Sequence, residues 1–271
     1  MTSLVVLAGS VVRMTGSGMG CPDWPKCFGL LIPPTEVQEV TWKKGEAYDT
    51  GRMLIANDTL WVAQHEVVAG DFESERLLGV WEPYTRHSYA IFNPVHTWVE
   101  FINRLIGALT GIPALLLLAL SFFGGWKYGL WRPFTWAVVH LFFLGLVAWM
   151  GKKVVDGNLI PFSITLHMLG AVFILMALAL ILHSVRHDNW TNSKGVDRRF
   201  WLILAAVLTL AQLIVGTQVR EQIDALLHLG IERPNLLVGL PEWWKFHRSG
   251  SWLVLVTQLI WIAPELRKKT T

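Results

Sequence analysis

Four polar side chains stand close together in residues 93–107, NPVHTWVEFINRLIG, just before a long apolar run. An asparagine followed by a proline predicts that a helix begins there. At about 100° per residue, His96, Glu100 and Asn103 share one face of that helix, and Arg104 lies beside it. Such groups in a membrane helix are costly unless they find partners inside the bundle, so they mark a functional site by default. The alternative is an interfacial cluster that only anchors the helix end.

The composition indicates a membrane protein. Of the 271 residues, 53% are hydrophobic and only 16% are charged, and 15 are tryptophan. A soluble domain of this length would carry more charge. Together with the long apolar runs, this predicts an all-α, polytopic membrane helical bundle. The net charge of +3 is small, and the basic residues form no stripe along the sequence. We therefore predict that nucleic acid is not a partner.

The apolar runs predict membrane spans at about 96–123, 133–150, 161–183, 200–219 and 247–264. An earlier apolar run, 4–12, is shorter than the roughly 20 residues that a span needs. It is either a surface-lying segment or the end of a helix whose first part is missing. Residues 14–92 are polar and loop-like, with an amphipathic helix predicted near 59–68. We divide the chain into a first helical half, 1–183, and a second half, 184–271, which looks truncated.

Basic residues in the short connections predict the orientation. Lys127, Arg132 and the clusters at 186–199 and 267–269 all fall on one side, which should be cytoplasmic. The lysine pair at 152–153 is the exception. The long polar region then lies outside the membrane, and lipid is a partner of the spans.

Cys21 and Cys27 are the only cysteines, and both fall in the outer region. The outer side of a bacterial membrane permits disulfides, so we predict a bridge that closes the small loop PDWPK. Two unrelated thiols are the alternative. A zinc site is disfavoured because this spacing lacks the companion ligands that a structural site needs.

Two dipeptides near the start of the chain have counterparts near its end: Val12-Arg13 matches Val219-Arg220, and Asn103-Arg104 matches His247-Arg248. The first two apolar segments therefore look like a weak copy of the last two. Transporters and cofactor-binding bundles built from repeats show this kind of echo. By that logic two more spans should follow residue 264, but the chain stops at residue 271.

Histidines in the predicted spans are candidate haem ligands. His167, in SITLHMLGAV, is the best candidate, because an imidazole inside a membrane needs a hydrogen-bond partner or a metal. His140 has no polar neighbour on its own helix face, so we predict that it is a hydrogen-bonded packing residue. Imidazole binds haem iron and guanidinium pairs with the propionates. The candidate propionate partners are Arg13, Arg104, Arg220 and Arg248.

The chain resembles the haem A synthase family in several segments that occur in a consistent order: GSVVRMTGSGMGCPDWPKCFG, HTWVEFINRLIGALTG, GKKVVDGNLIPFSITLHM, GTQVREQID and KFHRSG. Members of that family are membrane proteins that oxidise haem O to haem A for terminal oxidases. The resemblance implies eight transmembrane helices in two four-helix halves, each with a haem-binding position. It implies that Glu100 is catalytic, that His167 and His247 are iron ligands, and that Cys21 and Cys27 match an outer cysteine pair.

Two departures from the family pattern concern the ligands. Asn103 stands where many members have a histidine, and an amide is a poor iron ligand. His96 lies roughly 10 Å along the helix from Asn103, so it could take that place only if the haem shifted. The helices that would supply a partner for His247 do not follow in the chain. We therefore expect either a chain cut at both ends or a very short member, with a weakly bound second-half haem.

The reaction implied by the resemblance is two successive hydroxylations of the C8 methyl of haem O, which give a formyl group after loss of water. Glu100 would move a proton or stabilise a cationic intermediate at the methyl carbon. A haem b in the second half would transfer electrons. The implied partners are haem O, an unidentified electron acceptor, haem O synthase and terminal oxidase assembly proteins, and the implied location is the bacterial inner membrane.

Two other functions remain open from the sequence. One is a b-type haem protein that carries electrons or assists oxidase assembly without methyl oxidation, in which Glu100 has no chemical role. The other is a transporter built on repeats, which would bind no haem.

Overall fold

The structure is a computed structural model that describes residues 1–85, 92–156, 162–185 and 196–268. Its helices are α1 (Thr2–Thr15), α2 (Phe72–Leu77), α3 (Pro94–Tyr128), α4 (Trp131–Asp156), α5 (Ser163–Val185), α6 (Val196–His228), α7 (Leu236–Gly239) and α8 (Trp244–Lys268). Its strands are β1 (Ala47–Tyr48), β2 (Met53–Ala56), β3 (Thr59–Ala63), β4 (Val67–Val68) and β5 (Trp81–Pro83).

The chain forms two compact units. The first comprises Met1–Ile160 with Phe173–Ile181, and the second comprises Pro161–Val172 with Leu182–Thr271. Helix α5 therefore contributes to both units. The predicted division into halves at residue 183 stays a prediction.

Four helical segments are long and apolar enough to cross a membrane: Pro94–Tyr128, Trp131–Lys153, Ser163–Val185 and Phe200–Leu227. They confirm the polytopic helical membrane protein and coincide with four of the predicted spans. The remaining predicted span, 247–264, is helical within α8, although α8 is not among these four segments. The predicted basic clusters at 186–199 and 267–269 lie largely outside the described residues.

Helix α1 contains the short apolar run at 4–12 and packs against α3. Its 14 residues make it about 21 Å long, less than the roughly 30 Å hydrocarbon core. Gly16 ends α1 in the left-handed conformation, with φ 71°, which glycine adopts without steric cost.

Helix α3 begins where the sequence predicts. The Asn93 side chain accepts hydrogen bonds from the backbone N–H of Val95 and of His96, at 3.0 and 3.2 Å, and proline occupies the first helical position. The helix has 35 residues, which makes it about 52 Å long. Because that exceeds the hydrocarbon thickness, part of α3 lies outside the membrane core.

The polar region 14–92 is more ordered than its composition predicts, and the helix predicted at 59–68 is wrong. Those residues form β3 and β4, with β3 between β2 and β5 in an antiparallel sheet. Asn57 and Asp58 take positive φ values of 49° and 54°, as a two-residue hairpin turn requires. The β3 sequence TLWVA is rich in β-branched and aromatic residues, which favour a strand over a helix.

Two buried clusters hold this polar region together. One contains both cysteines with Phe28, Val40 and Leu60. The other surrounds Trp81, which is 1% exposed. Both ends of the cysteine loop are thus anchored in a packed core, while residues 24–26 between them are exposed.

In the second unit, α6 packs against α8. Helix α6 continues to residue 228, well beyond the predicted end of its span at 219, so the polar segment predicted at 221–246 begins as helix. Near the start of α5, the hydroxyls of Thr165 and Thr217 lie 2.8 Å apart, and the Gln218 amide donates to Thr165 at 3.0 Å.

Candidate functional site

The segment that leads into the cysteine loop packs directly on the first turns of α3. The Thr97 hydroxyl, which is fully buried, donates to the carbonyl of Gly20 at 2.9 Å. A Cβ atom on Gly20 would collide with the carbonyl of His96, so only glycine permits this close approach. The backbone of residue 20 is therefore fixed against the helix that carries the predicted site.

Glu100 lies beneath the cysteine loop. Its side chain is 4% exposed, and the backbone N–H of Cys21 donates to its Oε2 at 2.8 Å. Its Oε1 accepts a hydrogen bond from the guanidinium of Arg104, one helical turn along α3. A buried carboxylate is stable only with partners of this kind, and bonds to charged groups are stronger than neutral ones.

Arg104 connects that carboxylate to the loop. Its Nη1 donates to the carbonyls of Asp23 and Lys26, at 2.6 and 3.1 Å, and its Nη2 donates to the carbonyl of Cys21 at 3.4 Å. The planar guanidinium thus bonds three loop carbonyls and Glu100 together. A role of Arg104 at a haem propionate would compete with these contacts and stays a prediction.

The predicted disulfide is confirmed. Cys21 and Cys27 are bonded to each other, their Cα atoms lie 4.9 Å apart, and both residues are fully buried. The bridge closes the loop whose carbonyls Arg104 binds.

Asp23, inside that loop, is a residue that the sequence reasoning missed. Its Oδ1 accepts the N–H of Phe28 at 2.7 Å and its Oδ2 accepts the N–H of Gly29 at 2.9 Å. Burial raises the pKa of Asp23 above its usual range, against the lowering effect of these bonds and of Arg104. The carbonyl of Phe28 in turn accepts from Arg52 at 2.8 Å. The signal available in the sequence was an acidic residue between two cysteines that are predicted to be bonded.

The other candidates of the first unit do not converge on Glu100. The Asn103 side chain lies beside α1, with its Oδ1 3.9 Å from where a Cβ on Gly9 would stand. His96 is half-buried, and Arg13 lies in the last turn of α1. Their roles at a haem stay predictions. His140 is confirmed as a packing residue: it is buried, and its Nδ1 lies 3.3 Å from the carbonyl of Ile174.

His247, near the start of α8, is held closely against α6. The Gln212 side chain donates to its carbonyl, and its imidazole covers Gly216, where an added Cβ would lie 2.5 Å from the ring Cε1. Its Nδ1 is buried and has no hydrogen-bond partner among the described residues. The role of Gly216 was not predicted, because it depends on a contact between two helices.

The two candidate arginines of the second unit each contact a residue one turn away on their own helix. The Arg220 guanidinium pairs with Asp224 at 2.8 Å, and the exposed Arg248 lies over the Trp244 ring at 5.1 Å. His167 is half-buried in the second turn of α5. Among the described residues, no group of three or more His, Cys, Asp or Glu side chains could hold a metal ion. Haem iron takes only one or two protein ligands, so this finding does not bear on haem.

A family model described as cytochrome oxidase assembly protein, COX15-CtaA, matches residues 1–57 and 83–270. The chain belongs to this family. The match includes the cysteine loop, the first turns of α3 and the α6–α8 pair. It leaves out residues 58–82, which contain β3, β4, α2 and most of β5.

The chain is also similar to a protein named heme A synthase from Shewanella oneidensis, with 27% identity over 185 residues. The matched part is 67% of this chain and 41% of that protein, so the chain matches about two fifths of the length of this curated relative. No solved structure matches the chain.

Proposed function

We propose that this chain acts in haem A biosynthesis as a haem A synthase, an oxidoreductase that converts the C8 methyl of haem O to a formyl group by successive hydroxylations. The family match and the similarity to a protein named heme A synthase support the pathway. The observation that carries the reaction is the buried carboxylate of Glu100, clamped between the cysteine loop and α3.

Glu100 can serve this chemistry because its position is fixed. A carboxylate that is already oriented and shielded from water needs no reorganisation when positive charge develops at a substrate carbon. It can equally accept a proton from a group brought within hydrogen-bond reach. Arg104 and the Cys21 N–H orient it, and the loop above it shields it from water.

The residues of the second unit fit a bound haem b. His247 offers a buried ring nitrogen with no protein partner among the described residues, and the open surface of Gly216 accommodates its ring. His167 would be the ligand of the first half, and Arg13, Arg220 and Arg248 would lie near propionates. Haem b, when bound, would supply a redox centre that passes electrons from the substrate to an acceptor.

We place the protein in the bacterial inner membrane with residues 14–92 outside. The four membrane-length helices support a multi-pass protein, and the disulfide supports an oxidising outer compartment. Haem O is the proposed substrate. An electron acceptor, haem O synthase, oxidase assembly proteins and membrane lipid are the proposed partners.

The second candidate function is a haem-binding electron carrier or assembly protein without methyl oxidation. It is favoured by the bonds of Glu100 to Arg104 and Cys21, which give the carboxylate a purely structural use. Haem extraction separates the two candidates. Membranes supplied with haem O should contain haem A only when this chain is present if it is the synthase, and unchanged haem O would refute that function.

A further inference from the structure

Asp23 spans the cysteine loop from its beginning to the residues just beyond its end. Both of its carboxylate oxygens accept backbone N–H groups, from Phe28 at 2.7 Å and from Gly29 at 2.9 Å. The disulfide joins the two ends of the loop covalently. The bonds of Asp23 add a second link, from inside the loop to the two residues that follow it. The carboxylate thereby fixes how the loop backbone folds, not only where its ends meet.

The same loop is what Arg104 binds. Three carbonyls, those of Cys21, Asp23 and Lys26, accept from its guanidinium, and the fourth acceptor is Glu100. A guanidinium has a rigid, planar set of donors, so all these acceptors must keep their places for it to bond them together. The loop conformation therefore determines where the head of Arg104 stands, and Arg104 orients Glu100.

We propose that Asp23 is a positioning residue for Glu100: it holds the cysteine loop in the conformation that lets Arg104 and the Cys21 N–H fix the Glu100 carboxylate. The proposal rests on the function proposed above, in which Glu100 is the reacting carboxylate. Asp23 acts through the loop and is not itself at the substrate.

The surroundings of Asp23 agree with that role. Arg104 and Arg52 both stabilise its charge, and Arg52 also holds the carbonyl of Phe28 at 2.8 Å. Residue 28 is thus fixed on both its N–H and its carbonyl. Burial works against an ionised Asp23, so the loop keeps this carboxylate in spite of a desolvation cost.

The test compares Asp23→Asn with Asp58→Asn in the full chain. Asp58 is an exposed residue of the β2–β3 turn at φ 54°, where asparagine is equally tolerated, so this control makes the same chemical change away from the loop. Two quantities are measured: haem A formation from haem O, as kcat and KM, and the rate at which a phosphine reduces the disulfide, followed by alkylation and mass spectrometry.

We expect Asp23→Asn to lower kcat roughly tenfold with little change in KM, because misplacing a reacting group costs rate rather than binding. Disulfide reduction should accelerate roughly tenfold to a hundredfold, because the amide turns one of the two acceptor oxygens into a donor and leaves a backbone N–H without its partner. Asp58→Asn should match the parent in both. If Asp23→Asn speeds reduction but leaves kcat unchanged, or matches Asp58→Asn throughout, the proposal is overturned.

A double substitution separates this proposal from the function on which it rests. If Asp23 and Glu100 hold the loop as one unit, Asp23→Asn combined with Glu100→Gln should speed reduction by less than the product of the single effects. Should the parent make no haem A, the proposed function fails, and multiplicative effects on reduction would then overturn the positioning role too. If Asp23→Asn does not accumulate, Asp23→Glu, which moves the carboxylate by one methylene, is measured in the same way.

Discussion

Replacing Glu100 by glutamine is the sharpest test of the proposed chemistry. Glutamine keeps the shape and one acceptor oxygen, but it turns the other oxygen into a donor. Either the Cys21 N–H or the Arg104 guanidinium then faces an N–H group instead of its acceptor. The change therefore removes the charge and one of the contacts that fix the side chain.

The structural and chemical costs have different sizes. A hydrogen bond to a charged group contributes about 1.5–3 kcal/mol, which is what loop docking stands to lose. General acid–base catalysis contributes roughly 10²- to 10⁴-fold in rate, which corresponds to about 3–5 kcal/mol of activation free energy. The variant should insert, keep its haem spectrum and accumulate haem O or a hydroxylated intermediate, with haem A per bound haem lowered at least about a hundredfold.

Thr97→Val is the matched control. It removes the buried bond from the Thr97 hydroxyl to Gly20, which also docks the loop, and leaves the bonds from Cys21 and Arg104 to Glu100 in place. Removing one partner of a buried hydrogen bond costs about 1–3 kcal/mol, so the loop is weakened to a comparable extent. We expect no more than about a tenfold loss of rate, because the reacting carboxylate is unchanged.

Two results would refute the catalytic role. The first is haem A formation by Glu100→Gln at the parental rate per haem. The second is an equal loss in Glu100→Gln and Thr97→Val, which would assign the effect to loop docking. A purely structural Glu100–Arg104 bridge predicts lower protein yield with normal product per molecule.

Two further predictions concern the cofactor and the loop. Gly216→Ala should displace the His247 imidazole and thereby lower the haem content and alter the absorption spectrum. Gly145→Ala, at an open helix position, should change neither. Equal spectra for the two variants would contradict the role of the His247–Gly216 contact. Because burial raises the pKa of Asp23 above 3.8, the folded loop binds more protons than the unfolded one, so its stability should fall as pH rises through that window. The rate of disulfide reduction in the parent, divided by the rate in Asp23→Asn, should therefore rise with pH. A ratio that does not change with pH would contradict this prediction.

The membrane helices could be predicted because their signals are local. Span length and apolarity are properties of a single segment, and the Asn93–Pro94 cap signal fixes the start of α3 without any tertiary contact. The helix predicted at 59–68 was wrong because strands are stabilised by the neighbours they pair with, and β3 lies between two partners that sequence periodicity does not reveal. Those residues also lie outside the family match, so no resemblance guided the prediction.

The sequence predicted which side chains belong to the candidate site, but not which residues they contact. Helical spacing places Glu100 and Asn103 on one broad face, yet that face meets two neighbours: Glu100 contacts the cysteine loop, and Asn103 contacts α1. The contact between Cys21 and Glu100 joins residues 79 positions apart. Spacing within one helix predicts which side chains share a surface, but only the tertiary fold decides what covers that surface.

The bonds that hold Glu100 do not exclude it from chemistry. An ionised carboxylate has about four lone-pair positions, so the donors from Cys21 and Arg104 leave capacity for another donor. Its partners are backbone N–H groups and a guanidinium, which are donors only and cannot accept a proton. Glu100 is therefore the member of this cluster that can accept a proton without dismantling the others. The same contacts that dock the loop hold a base in place, so a structural role and a catalytic role for Glu100 are compatible. Their relative weight is what the comparison of Glu100→Gln with Thr97→Val measures.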